Sequence, residues 1–375
     1  MKIAILTLRL FKNYGGILQN YALSCFLRKN GHEVETINIV WSYKLGGVRK
    51  YYIWFKRIIR NILKGKWEPL NEERLLRESE AVAGQKTSMF KNKHIPLTKK
   101  IYYLPGADFR DINGNYDIVI VGSDQVWRPR YTKDITKYFL DFADNHIKKI
   151  AYAASFGTDE NEYSTKERKT CGSLLKRFNA ISVREASAIS LMHEKLRWDV
   201  DATQVIDPTM LLKAEDYQSL IGKVENNHQI FVYILDDSPQ KQSLVKIAER
   251  HLGINSFTIT PEGMNNASTY IMPPVETWLK ALLEASFIIT DSFHGCVFSI
   301  IFNKPFYVYG NRSRGKSRFE SLLNTFHLQA RYIDENTSLD TLSFNDDIDW
   351  CAVNDILTEK RQTSKQFLLN ALENN

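Results

Sequence analysis

Cysteine is scarce in this sequence and widely spread. The four cysteines among the 375 residues are Cys25, Cys171, Cys296 and Cys351, and neither a CxxC pair nor a Cys/His cluster occurs. This scarcity excludes a dense disulfide framework and argues against a structural zinc site. It also favours a reducing compartment, so we expect a cytoplasmic protein.

Long apolar runs are missing as well. No stretch of about 18 consecutive apolar residues occurs, so we expect no membrane-spanning helix. The apolar run at the N-terminus is short and is broken by Arg9 and Lys12. We therefore expect residues 2–8 to form a first β-strand and not a signal peptide. The length of the chain favours two domains.

Acidic residues are absent from residues 43–67, which contain eight lysines and arginines. The net charge is +7, so the rest of the chain is close to neutral (7 − 8 = −1). Because no nucleic-acid-binding module accompanies this stretch, we expect no nucleic-acid partner. Within residues 49–64, cations recur near helical spacing opposite an apolar side. This pattern is typical of a helix on an anionic membrane surface, here the inner face of the membrane, and also of an ordinary helix packed on the first domain.

Short β-branched runs alternate with segments of helical periodicity, which indicates parallel sheets covered by helices. The sequence predicts strands at residues 2–8, 33–40, 117–121, 149–154, 180–183, 229–235, 256–260, 287–290 and 305–309. We predict an α/β fold with two Rossmann-like domains, over residues 1–205 and 206–350, that face a cleft, and a C-terminal helix over residues 351–375. Ligands of such sheets bind beyond the carboxyl ends of the strands, so functional residues are expected in the loops that follow strands.

Two loops of the first domain carry small and polar residues after a predicted strand. The pair Gly15-Gly16 opens a helix, whose free N–H groups attract anions or sugar hydroxyls, and its loop fits neither a dinucleotide nor a nucleotide-phosphate fingerprint. The loop after residue 121 combines Asp124, Gln125 and Trp127, which suit a sugar that forms hydrogen bonds and stacks on a ring. A tight strand-to-helix connection and a helix cap with Trp127 in the core are the structural alternatives.

Charged side chains follow three other strands. Arg184 suits phosphate or carboxylate recognition, or else a structural ion pair with Glu185. His294 is a candidate proton donor that Asp291 would orient, or else a structural histidine. The loop over residues 311–318 holds four cationic groups that could clamp an anionic donor or simply be solvated. No HExxH or GxSxG motif occurs, and we expect no metal.

Seven motifs in order along residues 1–330 resemble those of the polysaccharide pyruvyltransferase family. They are NYGGILQNYAL, VGSDQVWRP, AYAASFG, ISVREAS, VIDPTMLL, TDSFHGCVFSI and SRFESLL. The resemblance implies a fold similar to the GT-B glycosyltransferases, phosphoenolpyruvate as the donor substrate and no cofactor. It also implies a sugar of a cell-surface or exopolysaccharide glycan, free or lipid-linked, as acceptor. The product would be a pyruvate ketal, with phosphate released.

Carried over by position, the resemblance implies His294 as the catalytic acid and Arg184 as a donor-binding residue. Ser292 stands where other members carry an arginine two residues before the histidine. We therefore expect Ser292 at the donor site, with the missing phosphate contact supplied from the loop residues Arg312, Arg314, Lys316 and Arg318. The family binds its acceptor on the first domain, which here offers Tyr14, Gly15, Gly16, Gln19, Asn20, Ser123, Asp124 and Gln125.

Two other functions fit the same sequence. A GT-B glycosyltransferase that uses a nucleotide sugar would need a ribose-binding carboxylate, for which Glu262 or Asp236 could serve. A non-catalytic glycan-binding relative would explain Ser292 as a mark of a decayed site. The joint presence of His294, Arg184 and the basic loop argues against decay.

Overall fold

The computed structural model of the protein describes residues 1–41, 55, 58–59, 72–103, 107–263, 270–310, 315–345 and 347–373. The first half of the chain contributes β1 (Lys2–Leu6), β2 (Glu33–Thr36), β3 (Ile39–Trp41), β4 (Ile101–Tyr103), β5 (Ile118–Val121), β6 (Lys148–Ala154), β7 (Ala180–Val183) and β8 (Thr203–Gln204). Strands β3 and β4 pair with each other. The other six form one parallel sheet in the order β2-β1-β5-β6-β7-β8.

A second parallel sheet follows in the chain. Its strands are β9 (Ile230–Tyr233), β10 (Ser256–Phe257), β11 (Phe287–Thr290), β12 (Phe306–Tyr309) and β13 (Tyr332–Ile333), in the order β10-β9-β11-β12-β13. The two sheets confirm the predicted fold class. The predicted domain boundary at 205/206 falls in the segment between β8 and β9 and stays a prediction.

Helices pack around both sheets. They are α1 (Tyr14–Lys29), α2 (Glu72–Ala83), α3 (Gln85–His94), α4 (Arg110–Asn113), α5 (Thr165–Leu175), α6 (Ala186–Ser190), α7 (Ala214–Ile221), α8 (Pro239–Leu252), α9 (Val275–Glu284), α10 (Phe293–Ile301), α11 (Lys316–Thr325) and α12 (Trp350–Glu373). One π-helical turn, Leu191–Lys195, extends α6.

Helix α1 joins the two sheets because it is buried on nearly all sides. Asn13 caps its N-terminus by accepting a hydrogen bond from the Gly16 N–H, which satisfies one of the free donors of the first turn. Its apolar residues belong to a core cluster that also contains Trp278 of α9 and Leu368 of α12. The two sheets therefore share this cluster, to which the C-terminal helix also contributes, and each sheet has a further cluster of its own.

Helices α2 and α3 are separated by the single residue Gly84, although the sequence over residues 70–90 has helical periodicity throughout. A Cβ at Gly84 would lie 2.4 Å from Cε2 of Phe11. The close approach of the Phe11 ring explains the glycine there. Sequence periodicity alone does not show such a contact, because it depends on a residue far away in the chain.

Among the described residues, no helix is both long and apolar enough to cross a membrane. The basic stretch over residues 49–64 lies largely outside the described residues. Within it, Phe55, Ile58 and Ile59 are described, and all three are exposed. Peripheral contact with an anionic membrane stays a prediction.

Candidate active site

His294 lies in the first turn of α10, directly after strand β11. Ser292 caps this helix by accepting a hydrogen bond from the Gly295 N–H at 3.3 Å. A Cβ on Gly295 would come within 2.4 Å of Thr290 Oγ1, so the turn leaves room only for glycine. The strand end and the cap together fix the position of His294, whose side chain is 7% exposed.

Asp207, on the segment that links the two sheets, contacts the imidazole. Nε2 of His294 lies 3.5 Å from Asp207 Oδ2, and Nη1 of Arg184 donates to the same oxygen at 2.9 Å. The N–H and hydroxyl of Thr209 donate to the other oxygen. Burial alone would raise the pKa of Asp207, but His294 and Arg184 hold that pKa well below its usual range. The carboxylate is therefore charged and joins a residue that follows β7 to one that follows β11.

Two buried guanidinium groups lie against the ring of Phe293. Cζ of Arg184 is 4.2 Å and Cζ of Arg318 is 5.5 Å from the ring centroid. Burial, together with the charge of Arg184, lowers the pKa of Arg318 to about 10. Nε of Arg184 lies 3.6 Å from Oε2 of Glu185, the ion pair that the sequence leaves open as an alternative. Nη2 has no hydrogen-bond partner in the described part of the chain. Because buried donors are normally satisfied, this nitrogen is suited to an anionic ligand.

A cavity of about 590 Å³ opens at this charged cluster. Its charged end is formed by Arg184, Glu185, Asp207 and Arg318, all of them buried. The remaining wall consists of residues 204–206, Met210, Phe293, Leu322, Thr325, Phe326, His327, Ile356, Glu359, Lys360, Thr363 and Ser364. The arrangement can hold an anion at one end and a larger, partly apolar group along the rest.

A sequence model of the family described as polysaccharide pyruvyl transferase matches residues 13–313, most of the chain. The match includes His294, Arg184 and Asp207. The chain belongs to this family. Among curated proteins, none matches the sequence significantly.

Several solved structures are distantly similar. MurG from Acinetobacter baumannii has 10% identity and a TM-score of 0.40, with 100% of this chain and 95% of that one covered. The E. coli heptosyltransferase WaaC with ADP has 12% identity and a TM-score of 0.40, with 98% and 100% covered. An alpha-glucosyltransferase in complex with UDP and DNA has 10% identity and a TM-score of 0.45, with 98% and 95% covered. These likenesses are too distant to support an inference about this chain.

Four of the residues predicted to bind the acceptor of this pyruvyltransferase-family chain are buried and engaged in internal hydrogen bonds. The Tyr14 hydroxyl donates to the Pro273 carbonyl, and its ring stacks on Trp278. The amide of Gln19 bonds to Thr7, to the Gly16 carbonyl and to the Ser123 N–H, and Asn20 accepts from Thr36. The Ser123 hydroxyl donates to the Ala153 carbonyl. These side chains hold the loops in place in this structure.

The other four predicted acceptor residues lie differently. Gly15 packs directly on His294, because a Cβ at Gly15 would lie 2.0 Å from His294 Nδ1. The Gly16 N–H donates to the Asn13 cap, and Gln125 accepts from Arg128. Asp124 is buried and accepts from Asn13 Nδ2 at 3.3 Å. Its charge interacts favourably with Arg184 and with Arg318, and so partly opposes the lowering of the Arg318 pKa by burial. The structure therefore brings Gly15 and Asp124 to the charged cluster.

Trp127 belongs to the core of the first half. It is fully buried, stacks on Phe139, and donates from its indole to the Tyr138 carbonyl. Of the two interpretations that the sequence leaves open, stacking on a sugar and packing in the core, the structure supports packing in the core.

The expectation that Asp291 orients His294 is wrong. Its carboxylate accepts from the N–H groups of Leu235 and Asp236 and from Lys241 Nζ, at 2.7, 3.1 and 2.6 Å. The loop after β9 therefore uses this carboxylate. Asp207 takes the place next to the imidazole instead, and its sequence signal was the motif VIDPTMLL.

Of the four cationic residues in the loop over residues 311–318, the structure describes Lys316 and Arg318, and these two line different cavities. Arg312 and Arg314 lie outside the described residues. Lys316 lines a different cavity of about 530 Å³ at the carboxyl ends of β9, β12 and β13, and it pairs with Glu320 at 3.1 Å. Arg318 points to the other side of α11, since residues two apart on a helix lie on opposite faces. Of the two described cations, Arg318 is therefore the one at the charged cluster.

Residues 310–317, between β12 and α11, fit the G-x-x-x-x-G-K-[ST] spacing of phosphate-binding loops. Gly310 and Lys316 of this motif line the 530 Å³ cavity, whereas Arg318, one residue beyond the motif, lies at the charged cluster. The motif therefore does not identify the charged cluster.

The candidate ribose-binding carboxylates lie apart from each other. Glu262 forms an ion pair with Lys86 and is largely exposed. Asp236 lines the 530 Å³ cavity. Within the described ranges, no three or more His, Cys, Asp or Glu side chains are grouped so that they could hold a metal ion.

Replacement of Gly15 by alanine should disturb the His294 contact. The new Cβ would overlap the imidazole, and overpacking of this kind typically costs about 1–3 kcal/mol. We expect Gly15→Ala to lower the free energy of unfolding by that amount, measured by urea denaturation. Gly114→Ala is the matched control, because a Cβ there meets nothing within 4 Å. Equal stability of the two variants would show that Gly15 does not pack on His294.

Proposed function

We propose that this chain transfers the pyruvyl group of phosphoenolpyruvate to a sugar of a cell-surface or exopolysaccharide glycan, forming a pyruvate ketal and releasing phosphate. Membership of the polysaccharide pyruvyl transferase family supports the reaction class. The observation that carries the proposal is the joint position of His294, Arg184 and Arg318. Arg184 and Arg318 line one end of a cavity of about 590 Å³. The candidate acid His294 does not line this cavity but lies 3.5 Å from the carboxylate of Asp207, which does.

The chemistry requires an acid and anion-binding groups. A proton from His294 adds to the methylene carbon of the enol phosphate, which makes the adjacent carbon electron-poor, and a sugar hydroxyl attacks there. A second hydroxyl then displaces phosphate and closes the ketal ring. Of the two protons that the hydroxyls lose, one returns to the imidazole and the other leaves with phosphate.

Arginines suit the donor because its carboxylate and phosphate are both anionic. A guanidinium binds such groups through its N–H donors, and Nη2 of Arg184 has no hydrogen-bond partner in the described part of the chain. Ser292 uses its side chain as the cap of α10. Arg318, on the same Phe293 ring as Arg184, is the cation that we assign to the contact that other family members make with an arginine at the Ser292 position.

A nucleotide-sugar donor is less well supported. The cavity that contains Asp236 is also lined by Asp237, Asp334 and Glu335 against Lys241 and Lys316, a balance of 2 − 4 = −2. The buried Asp291 further compensates Lys241. A negatively charged cavity repels a nucleoside diphosphate, so this part of the second sheet does not favour the glycosyltransferase alternative.

The pyruvyltransferase and glycosyltransferase functions are distinguished by the donor substrate that the protein consumes. Purified protein is incubated with phosphoenolpyruvate and a panel of free and lipid-linked glycans, and released phosphate and glycan mass are both measured. We expect one phosphate for each glycan that gains a pyruvyl ketal. Turnover of a nucleotide sugar without use of phosphoenolpyruvate would contradict the proposal, as would glycan binding without turnover of either donor.

The role of His294 is tested with His294→Gln, which keeps a polar side chain but removes the acid. We expect turnover to fall by about 100-fold or more, the usual contribution of a positioned acid. Thermal unfolding should be measured in parallel to show that the variant is folded. Turnover near that of the wild type in a folded variant would refute the assignment.

The role of Arg318 is tested through the donor. A hydrogen bond to a charged group contributes about 1.5–3 kcal/mol, so Arg318→Ala should raise the KM for phosphoenolpyruvate by about 10-fold or more. Arg250, an exposed arginine at the end of α8, gives the matched control Arg250→Ala, which should leave the KM unchanged. If Arg318→Ala binds the donor as the wild type does, a residue other than Arg318 makes the phosphate contact.

A further inference from the structure

The 590 Å³ cavity is larger than a three-carbon donor requires. Its volume lies within the roughly 300–1,000 Å³ of pockets that bury a drug-sized ligand. Arg184, Glu185, Asp207 and Arg318 occupy one end and are buried, whereas Gln204, His327, Glu359 and Thr363 at its margin are exposed. The cavity therefore leads from solvent to the charged cluster.

Helices α11 and α12 form two sides of this passage. Arg318 and Leu322 on α11 and Phe326, which caps its C-terminus, recur every four residues, and Ile356, Lys360 and Ser364 do so on α12. Residues four apart lie on one helix face, and eight residues span about 12 Å. Each helix thus lines the cavity along roughly that length, enough for more than a single small molecule.

The wall of the passage has the character of a sugar-binding surface. Apolar side chains, Leu322 and Ile356 among them, lie between the charged end and the polar margin. At the margin, Gln204, Thr325 and Thr363 carry an amide and two hydroxyls, which donate to Ser321 or to main-chain carbonyls and keep oxygen atoms that can accept from a sugar. Sugar rings present apolar C–H faces and hydroxyl groups together, so such a mixed wall can satisfy both.

Three of the side chains predicted to bind the acceptor are buried and hydrogen-bonded within the protein, namely Tyr14, Gln19 and Ser123. By contrast, Nη2 of Arg184 is buried without a hydrogen-bond partner in the described part of the chain, and Arg184 lines the cavity. The passage along α12 therefore reaches a polar group that can bind a substrate.

We infer that the acceptor glycan binds in this passage, with its reacting sugar at the charged end and the adjoining sugar residues between α11 and α12. The inference rests on the proposed function. It gives the C-terminal helix a part in acceptor recognition through Lys360 and Thr363. The donor is held only at the charged end.

The test narrows the solvent-exposed margin of the passage with a bulky side chain. Thr363→Trp adds an indole on the cavity side of α12, and Gln362→Trp adds the same group at an exposed neighbour that does not line the cavity. Phosphoenolpyruvate binding is measured by calorimetry, and acceptor KM is measured with glycans of increasing length. We expect Thr363→Trp to bind phosphoenolpyruvate as the wild type does but to raise the acceptor KM at least 10-fold, more for longer glycans. Gln362→Trp should match the wild type.

An unchanged acceptor KM in Thr363→Trp, or the same increase in Gln362→Trp, would overturn the inference and leave the proposed function intact. Weaker phosphoenolpyruvate binding in Thr363→Trp would assign the whole passage to the donor and also overturn it. Failure of the wild type to bind phosphoenolpyruvate would overturn the proposed function, and this inference with it.

Discussion

The carboxylate of Asp207, shared by Arg184 after β7 and His294 after β11, is the contact on which the candidate site depends. It lies on the segment between the two sheets and accepts hydrogen bonds from the Thr209 N–H and hydroxyl. Removal of one partner from a buried ion pair typically costs about 3–5 kcal/mol because the other charge stays buried. Arg184 and His294 therefore keep their places only while the two sheets stay packed on α1.

The same packing also explains the position of the second guanidinium. Helix α11 begins after β12, and Arg318 in its first turn reaches the ring of Phe293, on which Arg184 also lies. Burial of Arg318 and repulsion by the nearby charge of Arg184 together lower the pKa of Arg318. An anion bound near both guanidinium groups would offset this repulsion. The site is therefore better suited to a bound anion than to an empty cavity.

Much of the fold could be predicted from sequence because local patterns determine it. Strands β7 and β11 begin and end where the apolar runs do. The position of His294 beyond a strand end could also be predicted, since a polar run follows residues 287–290 directly.

Contacts between residues distant in the chain could not be predicted. Asp291 was assigned to its sequence neighbour His294, but the loop after β9 holds it. The actual partner, Asp207, is 87 positions earlier (294 − 207). Likewise, nothing local distinguishes Lys316 from Arg318, which face different cavities.

The proposed reaction requires the charged cluster to deliver a proton to the methylene carbon of an enol phosphate. Transfer carried out in D2O tests this step, with the glycan product examined by NMR. We expect a ketal whose methyl group carries one deuterium, because the solvent-derived proton of His294 adds to the methylene. In His294→Gln this product should form far more slowly. A product that retains the methylene as an enol ether, or a ketal methyl without deuterium, would contradict the account.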